Sequence, residues 1–168
     1  ERLVRDLPDA ARTLLYRLSL IAGGCDRQLA IAIGRASPAL THPGDSLDVL
    51  IGPWVESPRP DWFRVSPLVS DAGSKTISAE EQRLVHAAIC DDIVARRPLP
   101  GELIAQLLLS GMIAHHNLAL RFVGICVLSS EHEDREALLQ VLAHFALFRT
   151  DVSLADNAAD LAALLRVA

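Results

Sequence analysis

Apolar residues first recur at helical spacing behind Leu7-Pro8-Asp9. Leu14, Leu15, Leu18 and Ile21 form one stripe, proline is tolerated in a first helical turn, and Asp9 complements the dipole there. Gly23-Gly24 stops that helix. Asp26 is placed to cap a second one, which turns Leu29, Ala30 and Ile33 inward and closes at Gly34 and Pro38. A third short helix is expected to start at Asp45 or Ser46, to bury Leu47, Leu50 and Ile51, and to halt at Gly52-Pro53. The period then changes from helical to alternating. Trp54-Val55-Glu56 and Trp62-Phe63-Arg64-Val65 favour β-structure, and Ser57-Pro58-Arg59-Pro60-Asp61 between them reads as a turn, so a small β-hairpin follows. Trp54, Trp62 and Phe63 concentrate here, and packing of the hairpin on the helices outweighs a ligand platform as their role.

From Ser78 onward the chain reads as almost pure helix. Ser78-Ala79-Glu80-Glu81 matches a capping box, and Leu84, Val85, Ala88, Ile89 and Ile93 supply its stripe until Pro98 and Pro100 end it. Four further helices are expected over 102–112, 115–128, 133–148 and 154–167, joined by short polar or glycine-containing breaks. Three short helices followed by a hairpin is the order of a winged helix. Successive helix pairs suggest a helical-repeat array, although no self-similarity recurs at about 34 residues. The expected fold is therefore mainly α: a winged-helix domain over 1–75, followed by a TPR-like, helical-hairpin region over 76–168.

Composition adds limits. With 168 residues, 51% hydrophobic and 22% charged, collagenous and disordered classes are excluded. Cys25, Cys90 and Cys126 are odd in number and far apart, which points to buried thiols in a reducing, cytoplasmic compartment. The chain opens without an initiator Met or a charged-then-apolar leader, and reads as an internal piece of a longer polypeptide. The uncharged run 103–120 nears membrane-spanning length. Gln106, Ser110, Gly111, His115, His116 and Asn117 interrupt it, so two buried helices meeting near Gly111 are expected instead.

Candidate chemistry is sparse. His115, His116, Cys126, Glu131, His132 and Glu133 are suitable metal-ligand types but form no H-E-x-x-H or C-x-x-C framework, and adjacent histidines on a helix point about 100° apart. Cys90-Asp91-Asp92 and Ser129-Ser130 lack a base at any recognisable spacing, and His86 and His144 sit in helical stripes as packed or edge residues. No glycine-rich phosphate loop is present, and Asp26 beside Gly23-Gly24 would repel an anion. The net charge is −5. Residues 36–58, which include the third helix, carry Asp45, Asp48 and Glu56 and no Lys or Arg, a net −3. Residues 59–75 carry Arg59, Arg64 and Lys75 against Asp61 and Asp71, a net +1. A duplex would be repelled by the first segment and weakly held by the second, so nucleic acid is disfavoured as a partner.

The run Leu7-Pro8, Leu14-Leu15-Tyr16-Arg17-Leu18-Ser19-Leu20, Gly23-Gly24, Trp54-Val55-Glu56 and 63–72 (Phe63-Arg64-Val65-Ser66-Pro67-Leu68-Val69-Ser70-Asp71-Ala72) resembles the winged-helix region of STAND-class, NB-ARC-like signalling ATPases, over about residues 1–97. The resemblance implies a preceding P-loop ATPase module that binds ADP or ATP, and a following superhelical sensor of tetratricopeptide-like repeats. It implies a noncatalytic signal-relay role for this chain, with no cofactor of its own. The winged helix would pack on the nucleotide-binding module in the ADP state and swing away as a rigid body on activation, permitting oligomerisation. In that family a Met-His-Asp-like triplet follows the last wing strand, and its His contacts the ADP β-phosphate. Val65-Ser66-Pro67 stands in its place. Ser66 can donate one hydrogen bond to a phosphate but brings no imidazolium charge. The expected partners are thus the neighbouring nucleotide-binding domain and other proteins, with no membrane. The alternative from another class is a winged-helix DNA-binding transcriptional regulator.

Overall fold

A computed structural model describes residues 4, 6–96 and 101–129. Helix α1 (Asp9–Leu18) begins after Pro8 and buries Ala11, Leu14, Leu15, Arg17 and Leu18. Ile21 falls beyond its end. After Gly23-Gly24 a two-residue strand, β1 (Cys25–Asp26), precedes α2 (Arg27–Arg35), and the Asp26 carboxylate accepts the Leu29 N–H at 2.8 Å as the N-cap. Helix α3 (Pro43–Leu50) starts two residues ahead of the expected Asp45, because the fixed φ of Pro43 suits a first helical turn and His42 can stand outside it. Ile51 is its C-cap and only half-buried, whereas Leu47 and Leu50 are fully buried.

Strands β2 (Val55–Arg59) and β3 (Trp62–Val65) form the hairpin, and β1 adds to the other side of β3, giving an antiparallel sheet in the order β1-β3-β2. Strand β2 is longer than its apolar residues indicated. It runs through Ser57-Pro58-Arg59, and the register slips between Glu56 and Arg59. An edge strand with a bulge tolerates a proline that a central strand would reject. The reversal itself is confined to Pro60-Asp61, with Asp61 in the left-handed region at φ 55°. After β3 a 3₁₀ turn (Pro67–Val69) leads to α4 (Ala72–Thr76). Here Gly73 is indispensable for space: a Cβ would collide with the Tyr16 carbonyl oxygen, and the Gly73 N–H donates to Ser19 Oγ at 2.7 Å. That contact seats α4 on the end of α1.

Two compact units divide the chain, Glu1–Ile89 and Cys90–Ala168, and α5 (Ala79–Ala95) contributes residues to each. In the first unit the core is Leu14, Leu15, Leu18, Leu29, Ile33, Leu47 and Leu50, joined by Val55 and Phe63 from the sheet and Val85 and Ile89 from α5. A charged residue lies inside it. Arg17 is 0% exposed, and its Nε and Nη2 donate to Glu81 Oε1 at 3.0 and 2.8 Å. Its Nη1 donates to the Ala36 carbonyl at 3.0 Å and Nη2 to the Pro38 carbonyl at 2.8 Å, while the Gly34 carbonyl lies 3.4 Å from Nη1. The guanidinium therefore closes the C-terminal end of α2, where carbonyls have no intrahelical partner.

This pairing alters the expected capping box. Ser78 Oγ accepts the Glu81 N–H at 3.2 Å, which is half of the motif, but the Glu81 side chain turns to Arg17. A charge-assisted bond to a buried guanidinium is stronger than a neutral bond to a hydrated backbone N–H. With Glu81 turned inward, Val85, Ile89 and Ile93 follow at four-residue steps and are fully buried. Leu84, expected in the stripe, is left 43% exposed, and His86 and Cys90 are buried instead.

In the second unit a 3₁₀ turn (Gly101–Leu103) enters α6 (Ile104–Ile113), which turns back through Ala114–His116 into α7 (Asn117–Ser129). Every residue of 104–112 is buried, and the two polar ones satisfy each other, Gln106 Nε2 donating to Ser110 Oγ at 2.7 Å. Gly111 meets Leu120 where α6 and α7 cross. Among the described residues no helix is long and apolar enough to cross a membrane. The helices expected over 133–148 and 154–167, and the stop at Pro98 and Pro100, lie outside the described residues. The fold is mainly helical with a small three-stranded antiparallel sheet.

Both tryptophans lie in the first unit, so fluorescence-detected urea unfolding reports on it. Glu81→Ala, which strands the buried guanidinium without its counter-charge, is expected to cost about 3 kcal/mol. Ser78→Ala, which removes an exposed cap, is expected to cost about 1 kcal/mol. Equal losses would mean that Glu81 acts through the cap alone.

Candidate functional site

The polar and apolar features that could engage a partner gather where β3 leaves the sheet. Their placement starts with the two glycines. Gly23 holds φ 96°, which favours glycine, and a Cβ on Gly24 would collide with the Trp62 indole. Together they let β1 lie against β3, pairing Cys25 with Phe63 and Asp26 with Trp62. A two-residue strand has no period to read, so β1 was invisible in the sequence. Its signal was the glycine pair, which marks close backbone approach as well as a helix stop.

Between β1, β3 and the end of α1 lies an apolar groove of about 240 Å³, lined among others by Leu18, Ile21, Cys25, Val55, Phe63 and Val65. Phe63 is buried in the core, and Trp62 lies under the Arg59 guanidinium at 4.4 Å. Phe63 thus packs the hairpin on the core, while Trp62 is stacked within the hairpin itself. On the far side of the 3₁₀ turn a second groove of about 380 Å³ runs along Tyr16, Val69, Asp71, Lys75 and Thr76. Pro67 lines both grooves, and Leu68 beside it is 92% exposed. Pro67–Val69 is therefore a ridge between two depressions, with a large aliphatic side chain in solvent.

Ser66 stands at the foot of that ridge and is half-buried. Its N–H donates to the Trp54 carbonyl at 2.9 Å, its carbonyl accepts the Val69 N–H at 3.0 Å, and its hydroxyl makes no cap bond to the 3₁₀ turn. The hydroxyl is what it can offer a phosphate: one hydrogen bond without charge. Arg64, two residues earlier, is paired with Glu56 at 2.8 Å.

The outer face of α3 is acidic and apolar, with Asp45, Asp48 and Val49 exposed. Asp48 is held by both Nη atoms of Arg27 at 2.7 and 2.8 Å, and this hydrogen-bonded pairing lowers the Asp48 pKa and raises that of Arg27. The nearest cation on α2 is thus already matched by α3. On the hairpin Arg59 stacks on Trp62 and keeps its charge, whereas Arg64 is paired with Glu56.

Among the described residues no group of three or more His, Cys, Asp or Glu is arranged to hold a metal ion. His116 is engaged with Asp91 and with the backbone of α7, and His115 adopts φ 54° in the turn before it. Glu131, His132, Glu133, Ser130 and His144 lie outside the described residues. His86 is buried on the inner face of α5. Burial, with Asp91 adding to it, pushes the Cys90 thiol up to about 12, and burial also raises Cys126. A thiol so shifted is no nucleophile at neutral pH. Comparison with known protein families, with curated proteins and with solved structures finds no match for this chain.

Arg17 carries the strongest polar constellation of the first unit, and sequence reasoning passed over its role. The signal was present: Arg17 falls three residues after Leu14, next to Leu18 on the apolar stripe, and not on the solvent face.

Alkylation by iodoacetamide at pH 8 under native conditions is expected to modify Cys126, which is half-buried, well before Cys90, which is fully buried with the higher pKa. Peptide mass spectrometry reads the order. Faster labelling of Cys90 would contradict its placement.

Proposed function

We propose that this chain is a noncatalytic relay module of a STAND-type signalling ATPase, working in the cytoplasm through protein–protein contacts. Its first unit acts as a winged helix: α1, α2 and α3 are the helical trio, β2 and β3 the wing, and β1 the short strand that closes the sheet. Helices α6 and α7 begin a TPR-like helical-hairpin sensor, and α5, which belongs to both units, carries the signal between them. Nucleotide, ADP or ATP, belongs to the neighbouring module, to which Ser66 contributes at most one hydrogen bond. Activation permits the parent to oligomerise.

The observation that carries this reading is the ridge at Pro67–Val69. Leu68 is 92% exposed between two grooves, directly after the wing and beside Ser66. Such a projecting aliphatic side chain suits insertion into a partner protein, since a single Leu buried at an interface core contributes on the order of 2 kcal/mol. The DNA-binding alternative is disfavoured by the same surface inventory. The third helix of a winged helix is the one that enters the major groove, and here it shows Asp45, Asp48 and Val49 to solvent.

The gene segment encoding the residues before Glu1 is expected to specify a Walker-type phosphate loop in the same polypeptide, and a stop codon or an unrelated domain there would overturn the proposal. With that module in hand, Leu68→Asp is expected to weaken its capture by this chain at least about tenfold, while far-UV circular dichroism stays unchanged. Undiminished capture would remove the ridge from the interface. A gel shift with random duplex DNA at low salt is expected to show no complex, and a salt-sensitive complex would favour the transcriptional regulator.

A further inference from the structure

The turn between α6 and α7 places a titratable ring in a backbone-capping position. His116 immediately precedes Asn117, the first residue of α7, and its carbonyl accepts the Leu120 N–H at 3.2 Å, the first bond of that helix. Its Nδ1 accepts the Ala119 N–H at 3.1 Å. A nitrogen that accepts carries no proton, so the ring proton sits on Nε2 and is donated to Asp91 Oδ1 on α5 at 3.0 Å. The same residue's N–H donates to the Gly111 carbonyl at the end of α6 at 2.8 Å. One histidine therefore ties three helices of this unit, two of them through its ring.

We propose that His116 is a proton-operated latch on α7. Neutral, it caps the helix and holds Asp91. Protonated, Nδ1 becomes a donor that faces the Ala119 donor, and the imidazolium adds positive charge at the positive end of the α7 dipole. The pair with Asp91 gains ionic character at the same moment. Both changes act in one direction: the ring leaves Ala119, stays with Asp91, and the first turn of α7 opens. Asp91 on α5 faces Nε2, His115 precedes this residue in the turn, and α6 and α7 present backbone groups to it, the Gly111 carbonyl and the Ala119 N–H. Arg121 lies a little over one turn further along α7. The turn is already held in an uncommon geometry, since His115 occupies the left-handed region at φ 54°.

The test uses the full chain labelled with ¹⁵N. At pH 8 the His116 ring nitrogens are expected to report the Nε2–H tautomer. Between pH 8 and pH 5.5, exchange of the Ala119 amide, corrected for intrinsic rate, is expected to rise roughly fivefold, the loss of one cap. In His116→Asn, whose side chain caps without titrating, that rise is expected to vanish while the protection at pH 8 is retained. An Nδ1–H tautomer at pH 8, equal protection of Ala119 at both pH values, or the same pH response in His116→Asn would each overturn the proposal.

Discussion

A guanidinium with no exposed surface organises the first unit. Arg17 projects from α1 into the core, and burying an unpaired charge costs several kcal/mol even after relaxation. The structure meets that cost with groups that themselves need partners. The carbonyls of Ala36 and Pro38 lie just past the end of α2 and receive its Nη atoms, while Glu81 at the first turn of α5 supplies the opposite charge. A lysine could not replace it, since one ammonium lacks the planar fork that reaches a helix end and a carboxylate at once. Three segments distant in sequence are thereby fixed by one side chain: the end of α2, the loop that leads to α3, and the rotation of α5 about its own axis.

That rotation explains where reading the sequence succeeded and where it did not. The helices α1, α2 and α3, the Asp26 cap and the hairpin were legible because each depends on residues within one or two turns of itself. Leu84 was misassigned because its burial depends on Arg17, sixty-seven residues away, which draws Glu81 inward and carries Val85, Ile89 and Ile93 with it. The capping box forms only by its Ser78 half for the same reason. Strand β1 was hidden because two residues cannot show a period, and β2 was shortened because Pro58 reads as a breaker unless its strand is known to be an edge. The site was least legible of all. Ser66 could be located by position, yet the exposure of Leu68 and the grooves on either side of it are properties of the folded surface, and nothing in the residues 66–70 themselves announces them.

The charges of the first unit follow a common pattern. Exposed cations that could have served an anionic partner are matched locally, Arg27 by Asp48 and Arg64 by Glu56, while the aliphatic ridge at Leu68 is left open. Exposed ion pairs of this kind add little stability. In the second unit polar groups are used in the same economical way, with Gln106 and Ser110 satisfying each other inside an otherwise apolar helix and His116 serving two neighbours with one ring.

The central claim is that Arg17 and Glu81 act as a pair that locks α5 to the helical trio. A double-mutant cycle with Arg17→Met, Glu81→Leu and the combined variant, followed by the fluorescence of Trp54 and Trp62, measures that directly. A coupling energy above about 2 kcal/mol, with the double variant more stable than either single one, is the expected result. Additive losses within about 0.5 kcal/mol would show that the two residues act independently, and would contradict the account.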